Sequence, residues 1–393
     1  MSDACRWDEY EIPDLEDKGI VSLGRGNIIS KIDIQEKPGG HPIYSSSAKE
    51  DGMFGKYGDY MFDEEMITWS IDGGGTLFYR PRHKFSVTNV CGYMRLDTSV
   101  LDYRFVHAAL CLQHSRITFD YQTKAHPSVI RNLYRIPIPP LPEQKKIAEI
   151  LSGIDNFIAL LQRKVNSLEN LNHALMQDSL GSIAINAMRG RCQDSDSVRT
   201  CSVGEVFEVQ LGKMLNKEAR ESGAQYNYLG NKNIQKWELR LDQLESMHFS
   251  EADKKKFALR DGDLLMCEGG DAGRCCLWEG GGIDIYYQKA IHRIRSKCGS
   301  CSTKYAMYYF THCKENGLLE EFVSKTSIAH LTREKLMSIP ISFPSAEKQD
   351  EIVRRIDATR FLIDSLNHQI ASSANVRTSL SLELLTGRNK VSI

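Results

Sequence analysis

The chain has 393 residues, 41% apolar and 26% charged, with a net charge of −1. That is too long for one hydrophobic core and predicts two or three globular domains. The near-zero charge neither supports nor excludes nucleic acid: a non-specific binder would usually be basic overall, whereas a specific reader can be near neutral with its Lys and Arg on one face. No run of about 18 apolar residues occurs, so no membrane span is expected. The acidic opening Met1-Ser2-Asp3-Ala4-Cys5-Arg6-Trp7-Asp8-Glu9 lacks the apolar centre of a signal peptide. Eleven cysteines, an odd number in a large chain, do not make a disulfide framework. The expectation is a cytoplasmic protein with reduced thiols.

Residues 1–142 alternate short β-type runs with glycine turns at Gly24-Arg25-Gly26, Gly39-Gly40 and Gly73-Gly74-Gly75. Met66–Ile71 and Thr76–Tyr79 have the β-branched and aromatic content of strands, and Leu101–Leu112 reads as a short helix. Pro13-Asp14-Leu15-Glu16-Asp17-Lys18 has a superficial nuclease pattern. Only Leu15 separates its two halves, too close for two strand-borne carboxylates, and it reads as an acidic surface turn.

A proline-rich lead-in, Ile136-Pro137-Ile138-Pro139-Pro140, forbids helix until a long one starts. The predicted helix covers 143–181. Its apolar positions Ile147, Leu151, Ile154, Ile158, Leu161, Val165 and Leu168 step four and three, a heptad seam that places polar Asn172 in line. Some 38 residues at 1.5 Å each span about 57 Å, more than a small domain can bury. A polar stretch at 182–197 reads as a linker. A second mixed domain is predicted at 198–346, and a second long helix at 347–386 with seam residues Ile352, Ile356, Ile363, Leu366, Ile370 and Leu380, followed by a tail at 387–393. This seam is interrupted by Thr359, Ser373 and Arg377.

The second helix repeats the first. From Gln144 and Gln349 onward the two run at a constant offset of 205 residues: Ile147/Ile352, Ile158/Ile363, Leu161/Leu366, Leu175/Leu380. A duplication with a long repeat is an architecture in itself. The predicted fold class is α+β: two mixed α/β domains in pseudo-twofold arrangement, joined by two long antiparallel coiled-coil helices.

Self-sufficient chemistry has no sequence support. No Asn/Asp-Pro-Pro-aromatic tetrapeptide of an adenine methyltransferase occurs, and Gly212-Lys213 is followed by Met214 where a phosphate-binding loop needs Ser or Thr. Cys298-Gly299-Ser300-Cys301 has ligand spacing but no coherent second pair, so ordinary thiols are favoured over zinc.

The block Ile136-Pro137-Ile138-Pro139-Pro140-Leu141-Pro142-Glu143-Gln144-Lys145-Lys146-Ile147, followed by Leu151, Ile154 and Asp155, resembles the central conserved region of specificity subunits of type I restriction–modification systems. Its degenerate copy at 339–352 resembles their C-terminal conserved region. Gly26-Asn27-Ile28-Ile29 with His41-Pro42-Ile43-Tyr44-Ser45-Ser46-Ser47 resembles the opening of a target-recognition domain. Arg260-Asp261-Gly262-Asp263-Leu264-Leu265-Met266, Gln288-Lys289-Ala290 and Thr326-Ser327-Ile328-Ala329-His330-Leu331 resemble later motifs of such domains.

The resemblance implies a non-catalytic subunit whose two target-recognition domains each read one half of a bipartite, asymmetric site in double-stranded DNA. The paired helices set the spacer. It further implies two methyltransferase (modification) subunits as partners, which supply S-adenosylmethionine, and a restriction/motor subunit using ATP and Mg. A type IIB-like specificity subunit and a non-catalytic coiled-coil protein scaffold are the alternatives. Because bases are read from loops and phosphates by Lys, Arg and small hydroxyls, the DNA-binding candidates in the first domain are Ser45, Ser46, Ser47, Lys56, Tyr57, Tyr79, Arg80, Arg82, Lys84, Lys124 and His126. Those in the second are Lys213, Asn231, Lys232, Asn233, Arg274, Gln288, Lys289, Lys325, Thr326 and His330. Tyr79–Lys84 is the strongest basic–aromatic patch. No catalytic or metal residue is expected.

Overall fold

The computed structural model describes residues 7–47, 50–72, 74–117, 124–191, 198–221, 223–281, 284–324 and 329–391. Two compact units emerge: residues 1–163 with 366–393, and residues 164–365. Each combines a mixed α/β domain with the near half of one long helix and the far half of the other.

In the first unit the strands are β1 (Glu9–Glu11), β2 (Val21–Arg25), β3 (His41–Tyr44), β4 (Met53–Tyr57), β5 (Phe62–Ser70), β6 (Leu77–Val87), β7 (Cys91–Leu96) and β8 (Arg135–Pro137). The helices are α1 (Ile12–Asp17), α2 (Lys31–Glu36), α3 (Tyr103–His114) and α4 (Pro127–Leu133). Six strands form one sheet in the order β2-β7-β5-β6-β3-β4, with only β3 and β6 parallel. Central β5 is buried on both faces from Met66 to Ser70, hence its unbroken apolar and β-branched run. Helix α3 lies against this sheet, its register pinned by Asp102, whose carboxylate caps the N–H groups of Arg104 and Phe105 at 3.0 Å.

Helix α5 runs from Leu141 to Met188 over 48 residues, starting where the prolines of the lead-in end. The second unit then has β9 (Val198–Ser202), α6 (Val203–Val206), β10 (Phe207–Leu211), α7 (Lys217–Glu221), β11 (Gln225–Leu229), β12 (Glu245–His248), α8 (Glu251–Phe257), β13 (Leu264–Cys267), β14 (Cys275–Leu277), β15 (Tyr286–Tyr287), β16 (Ile291–Ser296), α9 (Thr303–Glu315), α10 (Arg333–Ser338), β17 (Pro340–Pro344) and α11 (Ala346–Leu384). Its strand orders, β10-β16-β13-β14 and β15-β11-β12, repeat those of the first unit. The difference is that the counterpart of β6 is split into β14 and β15, with buried Trp278 between them.

The helices pair antiparallel inside each unit. In the first, Arg377 meets Asp155 at 3.0 Å, and the Val391 N–H reaches Glu143 at 3.2 Å. In the second, Asn172 donates to Thr359 Oγ1 at 2.5 Å and to Ile356 O at 3.3 Å. Asn172 is 4% exposed, so the polar position anticipated in the seam is a buried polar layer. Ile147, Leu151, Leu161, Val165, Ile352 and Ile356 are buried, and Ile154, Ile158, Leu168, Ile363, Leu366, Ile370 and Leu380 half-buried.

Several boundaries differ from expectation. Helix α5 continues to Met188, seven residues into the proposed linker, because Ala184 and its neighbours Ile183 and Met188 pack into the core of the second unit; residues 192–197 lie outside the described residues. Gly24 is not in a turn but inside β2, where it admits the Tyr93 ring. Pro13–Asp17 is not a turn but part of helix α1, with Pro at its first turn and Ile12 and Leu15 buried. Glu16 there is tied to Arg131 and to the Leu23 N–H, a structural pairing.

Candidate DNA-recognition loops

In both units the loops after the edge strands are gathered by the same backbone scaffold. In the first, the Gly26 N–H donates to Cys91 O (3.1 Å), Asn27 N–H to Val87 O (3.2 Å) and Thr88 N–H to Tyr44 O (2.9 Å). In the second, Gly212 N–H donates to Ile291 O (3.1 Å), Lys213 N–H to Tyr287 O (3.1 Å) and Gln288 N–H to Leu229 O (3.0 Å). A Cβ on Gly26 would fall 1.9 Å from Val87 O, and one on Gly212 would fall 2.3 Å from Gln288 O. Only glycine lets the strands approach so closely.

The carbonyl two residues beyond Tyr44 or Leu229 is tied down in each case. Ser70 Oγ donates to Ser46 O at 2.6 Å, and Arg274 Nη2 donates to Asn231 O at 2.9 Å. What differs is the side chains carried: Asn27, Ser45 and Thr88 in one unit, Lys213, Gly230 and Gln288 in the other. Thr88 Oγ1 and Ser45 Oγ lie 2.9 Å apart. Constant backbone with variable side chains is the physical form of a reader whose specificity can change without its fold changing.

The structure brings together Ser45 and Ser46 in the first unit, with Ser47 exposed beside them. In the second it brings together Lys213, Asn231, Arg274, Gln288, Lys289 and His330. Asn231 Nδ2 donates to Gly269 O at 2.9 Å, Gly269 bridges to His330, and Lys289 N–H donates to Lys213 O at 2.8 Å. Besides Asn231, the Lys213 and Arg274 side chains are engaged within the protein. Lys213 Nζ lies 2.7 Å from both Asp253 and His248 O, and Arg274 salt-bridges Asp271 at 3.4 Å.

Other candidates take different positions. Tyr79–Lys84 is not a loop but part of β6, so its side chains alternate between faces. Arg80 is 5% exposed: its Nε donates to Thr68 Oγ1 (3.0 Å), its Nη2 to Asp51 O (2.5 Å), and its guanidinium lies 3.6 Å from the Tyr44 ring centre. Burial lowers its proton affinity, with the Tyr44 hydroxyl acting against that shift. It holds the Asp51 carbonyl from beneath, so its guanidinium is turned into the protein and not out to solvent. Tyr79 is bonded to Glu65 at 2.5 Å, while Arg82 beside Asp63 and Lys84 over Tyr60 remain exposed.

Tyr57 is buried, its hydroxyl 2.7 Å from Ser86 Oγ, whereas neighbouring Lys56 is exposed. Asn233 is buried as a turn clamp, accepting from Gly230 N–H and donating to Arg240 O. Lys232 pairs with Glu245 at 2.6 Å and holds that carboxyl below its usual range. Lys124 pairs with Asp72 at 3.1 Å, and His126 caps α4. Lys325 and Thr326 lie outside the described residues. Sequence reasoning left out Asn27 and Thr88; the signal for Asn27 was its place after Gly26, matching Lys213 after Gly212.

The nine cysteines among the described residues are all free thiols. Cys298 is exposed with its sulfur 3.0 Å from Ser300 Oγ, while Cys301 is buried. Burial pushes the Cys275 thiol up to about 12, far from a thiolate. Among the described residues no three His, Cys, Asp or Glu side chains are grouped to hold a metal ion, and no helix is long and apolar enough to cross a membrane.

Two α/β units that repeat one strand order and one loop scaffold define a duplicated protein, and comparison with known proteins gives its family. The model for the type I restriction modification DNA specificity domain matches twice, at residues 6–170 and 196–373, and the chain belongs to this family. A putative type I specificity subunit from Mycoplasma pneumoniae is 32% identical over 144 residues, 36% of this chain and 59% of that protein. The chain therefore spans little more than half the length of such relatives. The specificity subunit of a type I restriction enzyme from Methanocaldococcus jannaschii is 21% identical over 91% of this chain and 88% of its own length. The crystal structure of a type I specificity subunit from M. genitalium has the same fold, with a TM-score of 0.64 and 15% identity over 100% of this chain and 98% of its own.

Proposed function

We propose that this chain is the DNA sequence-specificity subunit of a type I restriction–modification enzyme. Each unit reads one half of a bipartite, asymmetric site, and the chain performs no catalysis itself. The observation that carries this reading is the duplicated loop scaffold, which shares three matched backbone bonds and differs in the side chains it displays. That the paired helices set the spacer between the two half-sites belongs to the same proposal.

The exposed apolar residues of the helices support a pair of equivalent partners. Phe157 and Leu362 match at the repeat offset of 205, as do Leu171 and Val376, and all four are roughly half exposed. Apolar side chains at matched positions of the two helices are what a pair of equivalent partners would cover. Two methyltransferase subunits carrying S-adenosylmethionine fit these positions, with ATP and Mg belonging to a restriction subunit.

The test is binding by the chain copurified with its neighbouring modification subunit. Affinity for duplex DNA should fall steeply and linearly in log–log form as salt rises, and the isolated chain should give no methyl transfer. A protein scaffold would instead assemble with partners and show no salt-dependent affinity for duplexes.

A further inference from the structure

Just beyond the equivalent glycine of each loop scaffold, Gly26 or Gly212, stands an apolar residue in open solvent. Ile28 is 79% exposed and Met214 is 57% exposed. They occupy one position of the duplicated fold. Gly26-Asn27-Ile28-Ile29-Ser30-Lys31 follows β2, and Gly212-Lys213-Met214-Leu215-Asn216-Lys217 follows β10. In both, the second residue forms an isolated parallel bridge, Asn27 to Thr88 and Lys213 to Gln288. In both, the fifth residue caps a short helix through its side chain, Ser30 accepting from Asp33 N–H (3.1 Å) and Asn216 from Ala219 N–H (2.8 Å).

A bridge on one side and a cap on the other fix the backbone, so each apolar side chain is held out on a rigid support. One exposed isoleucine is ordinary in any protein. The same exposure at the same place in two diverged copies is not explained by folding, since neither side chain contributes to a core. Both sit beside the loops that carry Ser45 and Thr88 in one unit and Gln288 and Lys289 in the other.

We propose that Ile28 and Met214 are the apolar base contacts of the two recognition loops, each pressed against the bases of one half-site and not against phosphate. This rests on the DNA-specificity reading and adds to it the chemistry of the contact. An apolar side chain gains from DNA either by covering a thymine methyl in the major groove or by wedging at a base step. Both exclude water from a base surface, and neither involves charge.

The test uses the chain assembled with its modification subunits and duplexes bearing the sequence that this complex itself methylates. Ile28→Ser should lower specific affinity about tenfold, the scale of one lost base contact, with the slope of log affinity against log salt unchanged. Met214→Ser should do the same, and Met214→Leu should retain affinity. Each serine variant should relax discrimination in one half-site only, Ile28→Ser in one and Met214→Ser in the other. Uracil in place of thymine in that half-site should reproduce the loss for a methyl contact. A 2-aminopurine probe that brightens with wild type and not with the variant would report a wedge.

Unchanged affinity and discrimination in both serine variants would overturn the proposal. So would a reduced salt slope, which would place the loop on phosphates, or loss of subunit assembly at unaltered DNA affinity, which would make these residues a protein contact. If the wild-type complex shows no sequence preference at all, the specificity reading itself fails, and the failure is seen before any variant is made.

Discussion

Gln144 and Gln349 make the same three hydrogen bonds in their respective units. Gln144 Oε1 accepts from Asp102 N–H (2.8 Å), and its Nε2 donates to Val100 O and Pro139 O, both at 2.9 Å. Gln349 Oε1 accepts from Ser302 N–H (2.9 Å), and its Nε2 donates to Ser300 O (2.8 Å) and Pro344 O (2.9 Å). Both amides are buried, and each ties the cap of a domain helix, α3 or α9, to the first turn of a long helix. The joint between reader and support is thus a fully bonded polar clamp.

Replacing either glutamine by alanine leaves buried backbone groups without partners, which costs about 1–3 kcal/mol for each group that water cannot reach. Gln349→Ala should lower the unfolding free energy of the full chain by that order, read as a lower urea midpoint at unchanged slope, and Gln144→Ala likewise. A midpoint unchanged in both would mean that the clamps contribute nothing to the joint.

The Asn172–Thr359 layer trades stability for register. Thr359 Oγ1 also donates to Ile356 O at 2.8 Å. Asn172→Ala should therefore lose about 1 kcal/mol. The double variant Asn172→Leu with Thr359→Val should be neutral or more stable, since an apolar pair replaces two desolvated polar groups. A double variant less stable than the single one in chemical denaturation would contradict this.

Acid should destabilise the second unit through His292. This ring is fully buried, its Nε2 donates to Leu331 O at 2.8 Å, and its Nδ1 is buried without a partner. Desolvation is the largest influence and lowers its pKa from the ordinary 6.5, with the Leu331 hydrogen bond opposing. The unfolded chain therefore binds the proton first. Stability is present above about pH 6.5 and is lost as pH falls below it, by up to about 1.4 kcal/mol per pH unit for one histidine. Melting temperature should drop between pH 7 and 5, and His292→Gln should flatten that slope; an equal slope in the variant would remove His292 as its cause.

If the helices are the ruler, four residues inserted at matching points of α5 and α11 add slightly more than one turn and about 6 Å. The preferred gap between half-sites should then lengthen by one or two base pairs. An unchanged gap would assign the spacing to something else. Leu161→Asp, placing a charge at a buried seam position, should abolish assembly with the modification subunits while each α/β domain still folds, as read by size-exclusion chromatography and circular dichroism.

The helices were legible because a heptad repeats every seven residues and the duplication repeats all of it: the seam from Ile147 to Leu168 and the polar break at Asn172 emerge where the pattern places them. The end of α5 was less legible. Ser182 and Asn186 look like linker in composition, and only tertiary burial of Ala184 beside them keeps that segment helical. In the loops, composition misled where it counted charge without direction. Arg80 reads as a surface cation until β6 turns it inward under Tyr44, and Tyr57 reads as a surface aromatic until its hydroxyl is found on Ser86. Asn27 and Ile28 passed unnoticed as sites because their meaning lies in their match to Lys213 and Met214, across 186 residues of diverged sequence.

Methylated adenines mapped genome-wide by single-molecule sequencing, in cells expressing this chain with its neighbouring methyltransferase, test sequence specificity most directly. A split, asymmetric motif with a fixed gap, lost when this gene is deleted, is the expected result and would give both half-sites at once. Methylation unchanged by the deletion would contradict the specificity role and leave the chain a structural partner of the complex.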